Sequence, residues 1–117
     1  MSPDQLSVFL TYTERFDKVF SEFPNAFRKT GEFSQNDKNP KTEQAAIRFF
    51  NLCAEEFYLA AENLIASDVW DAWKTQIGKT VSHDLISAVW REVREEYCSP
   101  TIYGDFVEFM DATVSET

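Results

Sequence analysis

Residues 39–65 read NPKTEQAAIRFFNLCAEEFYLAAENLI, from Asn39 to Ile65. Pro40 suits the first position of a helix, because its ring fixes φ and its missing N–H is one the helix would leave unpaired. Ala46, Phe49, Phe50, Cys53, Phe57, Ala60 and Leu64 then recur at three- and four-residue steps. That spacing puts them on one face of a long helix. Glu43, Glu55, Glu56 and Glu62 fall off that stripe and are expected to point to water. A helix so strongly one-faced needs other elements to cover it.

The flanking segments supply them. Ser2-Pro3-Asp4-Gln5 has a capping serine, a proline and a glutamine in capping-box order. Leu6, Phe9, Phe16, Phe20 and Phe23 follow at helical spacing until Pro24, and Phe27 is expected to tuck against the core. Ser67 is expected to cap a third helix with Val69, Trp70, Trp73 and Ile77, ending at Gly78. Ser82 is expected to cap a fourth, with Ile86, Val89, Trp90, Val93 and Tyr97 inward. Ser99-Pro100 repeats the Ser2-Pro3 opening and predicts a fifth, carrying Phe106, Phe109 and Met110. The polar stretch 30–39 with Gly31 reads as a loop too short to divide domains. No segment alternates with period two. The expected fold class is all-α, a compact bundle of four to five helices in a single domain spanning 1–117.

Composition agrees. Eleven Phe and three Trp in 117 residues are too many for a disordered chain, and three Gly with four Pro too few for a sandwich or barrel. Phe50, Phe57, Trp70, Trp73 and Trp90 are the expected core, with one indole as the alternative anchor of a protein interface. The N-terminal MSPDQLSVF has neither the basic nor the apolar region of a signal peptide, and no run approaches the ~18 apolar residues of a membrane span. A cytoplasmic location is expected.

The chemistry-bearing residues are sparse. Cys53 and Cys98 read as reduced, partly buried thiols rather than a disulfide. His83, the one histidine, reads as an exposed first-turn residue. Two distant cysteines and one histidine lack zinc spacing, and paired Glu-x-x-His motifs are missing. Glu55 and Glu56 diverge by about 100° around a helix and so do not make a catalytic carboxylate pair. Three isolated glycines cannot build a phosphate loop. No catalytic residue, metal or cofactor is expected.

Charge is the most informative feature. Residues 1–50 carry seven acids and seven bases, whereas 51–117 carry thirteen acids and four bases, which is the whole net charge of −9. From residue 92 onward lie Glu92, Glu95, Glu96, Asp105, Glu108, Asp111 and Glu116, opposed by Arg94 alone. An acidic surface disfavours phosphate backbones and anionic membranes, and complements a basic protein. Glu92, Glu95, Glu96, Asp105, Glu108 and Asp111 are the candidate partner-binding residues.

Residues 46–110 also resemble a small helical domain of the DUF4760-like group of bacterial proteins. The likeness rests on Arg48-Phe49-Phe50-Asn51, Glu55-Glu56-Phe57-Tyr58-Leu59 and Leu64-Ile65. It continues through Trp70, Trp73, Ile77 and Ala88-Val89-Trp90-Arg91 to Phe106. The resemblance implies an all-helical fold and no assigned activity. The function expected from the residues is a non-enzymatic interaction or regulatory module of bacterial or phage origin that docks a basic protein surface. The alternative is a phage-derived inhibitor that mimics nucleic acid and occupies its target's binding groove.

Overall fold

A computed structural model describes residues 1–24, 27, 32, 37–98 and 104–115. Five helices lie among them: α1 (Pro3–Ser21), α2 (Pro40–Ala61), α3 (Ser67–Val81), α4 (Asp84–Cys98) and α5 (Gly104–Ser115). The described residues contain no strand. No helix among them is long and apolar enough to cross a membrane.

The α1 start forms as read. Ser2 Oγ accepts from the Gln5 N–H, and Gln5 Oε1 accepts from the Ser2 N–H. Two otherwise orphaned donors are satisfied reciprocally. Asn39 does the same work for α2, its Oδ1 accepting from the Thr42 N–H at 3.0 Å.

α2 is the central helix, packed against α1, α3 and α4. Phe50, Cys53 and Ala46 are fully buried on one side. Ala45, Phe49 and Leu52 are buried as well, so apolar burial extends well round the helix. α1 lies antiparallel to it, since Arg15 meets Glu55 at one end and Glu22 meets Arg48 at the other. α4 and α5 are antiparallel too, with Trp90 joined to Asp111 and Tyr97 edge-on to Phe106. Trp90 lies at the centre, its ring 5.2 Å from Phe50 and 5.8 Å from Phe106. Phe27 is buried against Phe23 and Phe20, as expected.

Several local expectations are corrected. α2 stops at Ala61 rather than Ile65, because Asn63 adopts φ 57°. The Leu64 N–H then bonds the Leu59 carbonyl and the Asn63 N–H the Ala60 carbonyl, a Schellman closure with asparagine in the left-handed position. Leu64 is thereby turned out and is 51% exposed. α1 contains no buried residue, and Leu6 and Leu10 are 47% and 54% exposed.

Ser67 is the first helical residue of α3, not its cap; Ala66 holds the cap position without a side-chain bond. Ser82 is the C-cap of α3 and its hydroxyl donates to the Lys79 carbonyl. His83 is half-buried just before α4, its ring edge-on to Phe27 at 4.8 Å. Cys98 is exposed, whereas Cys53 is buried; both are free. The Ser99-Pro100 start, most of the 30–39 loop and Glu116 lie outside the described residues.

Gly78 does not end α3, which runs on to Val81. A Cβ built at Gly78 would meet nothing within 4 Å. Gly78→Ala is therefore expected to stabilise the fold by ~0.5–1 kcal/mol, through the helix propensity gained and the unfolded-state entropy removed. Urea denaturation checks this; a lowered midpoint would mean that α3 needs the missing side chain.

Candidate functional site

Two places in this fold carry more than packing. The first is the acidic surface of α4 and α5. Glu92, Glu95 and Glu96 are exposed on α4, and Asp105 and Glu108 on α5. The antiparallel pairing sets the Glu95–Glu96 turn level with the Asp105–Glu108 turn. Asp111 differs from the other five. Its Oδ1 accepts from Trp90 Nε1 at 2.9 Å and from Arg94 Nε at 3.0 Å, and its Oδ2 lies 2.5 Å from Arg94 Nη2. The Arg94 hydrogen bonds, with a smaller share from Trp90, hold the Asp111 carboxyl below its usual range. Asp111 thus ties α5 to α4.

The same contact changes the charge of the surface. Arg94 is the cation that faced the acids in the sequence, and its guanidinium is turned onto Asp111. Glu95 lies a marginal 3.9 Å from Arg94 Nη1 and is 84% exposed in its side chain. Glu92, Glu95 and Glu96 share neighbouring turns at three- and four-residue spacing, which places like charges side by side.

The second place was missed from sequence. Glu56 is 3% exposed, although its position on α2 reads as solvent-facing. α1 and α3 enclose it, with Thr13 and Phe16 on one side and Trp73, Gln76 and Ile77 on the other, and a second stripe of α2 is buried beside the main one. Thr42, Ala45, Phe49, Leu52 and Glu56 are all buried, at steps of three, four, three and four. That stripe was legible: Glu56 continues a small-to-apolar series that a solvated face would not need to maintain.

Glu56 makes no hydrogen bond among the described residues. No buried side-chain oxygen there is sealed off without a partner, so the carboxyl opens onto accessible space. That space is a cleft of about 90 Å³ between α1, α2 and α3, lined by Thr13, Phe16, Glu56, Trp73, Gln76 and Ile77. Burial raises the Glu56 pKa to about 8, against a smaller downward pull from Arg15 and an upward push from Glu55. The carboxyl is therefore mostly protonated at neutral pH.

Around the cleft the charges are already matched. Arg15 grips Glu55 with two hydrogen bonds, at 3.0 and 2.5 Å. Those bonds lower the Glu55 pKa. The Arg15 guanidinium also sits 4.7 Å over the Tyr12 ring, and the Tyr12 hydroxyl donates to Glu55 at 3.3 Å. Trp73, expected in the core, is half-buried in this wall instead, 6.0 Å from Tyr12. Trp70 and Phe57 are half-buried against the core, while Phe50 and Trp90 are wholly buried.

No protein-family model, no curated protein and no solved structure matches this chain. Among the described residues no three His, Cys, Asp or Glu side chains gather to hold a metal ion.

Proposed function

We propose that this protein is a non-enzymatic interaction module that docks a basic protein surface through the acidic face of α4 and α5. The observation that carries the reading is the diversion of Arg94 onto Asp111, which leaves Glu92, Glu95, Glu96, Asp105 and Glu108 exposed with little internal compensation. α4 and α5 together hold seven acids, counting Asp84, against Arg91 and Arg94. Such a field steers a cationic partner and repels nucleic acid. Desolvating these carboxylates costs little at a polar rim and is offset by pairing with lysine or arginine.

The test is reversal of Glu92, Glu95 and Glu96 to Lys, with partners captured from a host lysate by the parent as bait. The partner is expected to lose at least tenfold in affinity for the variant, and its association with the parent to slow as salt rises. Unchanged affinity with an intact fold would refute the docking face. Competition with DNA or RNA for the captured partner would instead favour the inhibitor that occupies a nucleic-acid groove.

A further inference from the structure

We propose that the cleft between α1, α2 and α3 binds an alkylammonium group, its charge met by the Glu56 carboxyl and its carbon chain by Phe16, Trp73 and Ile77. This site is distinct from the α4–α5 face and stands or falls independently of it.

Four observations converge on that ligand. Among the described residues lining the cleft Glu56 is the one acid; it is 3% exposed and makes no hydrogen bond to the protein, so its remaining partner must come from the cleft, as water or as a ligand donor. Phe16, Trp73 and Ile77 give the walls an aromatic and aliphatic share beside the polar Thr13 and Gln76, and tryptophan is the strongest aromatic partner for a desolvated cation. The neighbouring guanidinium, Arg15, is already bound by Glu55 in two bonds and is not available to Glu56 in the same way. The volume of about 90 Å³ suits a short chain of a few heavy atoms, since one water needs ~10–15 Å³. An anion would face the carboxyl, and the Arg15 guanidinium nearby is already held by Glu55. A purely apolar ligand would bury the acid further and leave it unpaired.

The groups facing Glu56 are few. Among the described residues α1 contributes Arg15, α2 itself contributes Glu55 and Cys53, and α3 contributes the uncharged Trp73 and Gln76. Binding proceeds by transfer of the Glu56 proton to solvent, after which carboxylate and ammonium pair. One proton is released per ligand bound at neutral pH. Affinity should therefore rise with pH until Glu56 is ionised.

The experiment titrates the full chain with n-propylammonium chloride, following the Trp73 indole resonance and the heat of binding. n-Propanol is the uncharged control. Propylammonium is expected to shift Trp73 and to bind at least tenfold more tightly at pH 9 than at pH 6. Propanol is expected to do neither. Glu56→Gln keeps the shape and is expected to lose at least tenfold in affinity. Equal binding of propanol, a pH-independent affinity, or full affinity in Glu56→Gln would overturn the proposal. The pH series uses the unmodified protein and does not depend on the variant folding. A peptide-like lysine, Nα-acetyl-lysine methylamide, identifies the source. Equal affinity for both ligands assigns recognition to the ammonium group alone, and tighter binding of the lysine compound assigns it to a lysine side chain of a protein. Both results support the site.

Discussion

Glu56→Gln is expected to make this protein more stable at pH 8.5 than its parent, by on the order of 2–5 kcal/mol, and to differ little from it near pH 4. An unfolded glutamate ionises near 4.3. The folded one ionises at about 8. Between those values the native state holds a proton that the unfolded state has lost, so the parent loses stability steadily as pH rises and levels off above about 8. Its contribution is thus fully present in acid and gone in base, the reverse of a salt-bridged carboxylate. Glu55 and Asp111 have lowered pKa values, so they act only below the ordinary carboxylate range and do not mask this window. Thermal melts of parent and variant from pH 4 to 9 provide the check. Parallel curves would show that Glu56 ionises in the folded state as it does in the unfolded one.

Trp90→Ala is expected to cost ~3–5 kcal/mol, a large share of the ~5–15 kcal/mol that holds a domain together. Trp90 is 1% exposed and lies among the rings of Phe50, Tyr97 and Phe106. Truncation opens a cavity where α2, α4 and α5 meet. It also removes the indole N–H from Asp111. Trp90→Phe separates the two effects: it keeps much of the apolar volume and should cost less than the alanine variant. Guanidinium denaturation at neutral pH measures both. An alanine variant within 1 kcal/mol of the parent would mean that the three helices close over the gap, against the close packing of such cores.

Much of the architecture follows from local sequence. Apolar residues at three- and four-residue steps produce the helices wherever a cap and a proline set their starts, as at Ser2-Pro3 and Asn39-Pro40. Phe50 and Trp90 could be placed in the core because a large aromatic ring on the dominant stripe has nowhere cheaper to go. Local stops were harder to read. Gly78 resembles a terminator, yet its carbonyl and those around it continue the ladder of α3 to Val81. Asn63 looks like an ordinary polar residue, but its tolerance of positive φ ends α2 four residues early.

The sequence by itself determined that the fold is all-α, that Phe50 and Trp90 lie at its centre, and that its charge gathers after residue 50. Those properties belong to single segments and to composition. Only the tertiary structure decided which carboxylates stay in water. Glu56 is buried because α1 and α3 enclose it, and Asp111 is bound because Trp90 and Arg94 arrive from α4. Both depend on partners distant in sequence: Thr13 and Phe16 approach Glu56 from some forty residues away. Helical periodicity reports the face a residue takes on its own helix. It does not report how many neighbouring helices cover that helix, and that number sets the dielectric around each charge.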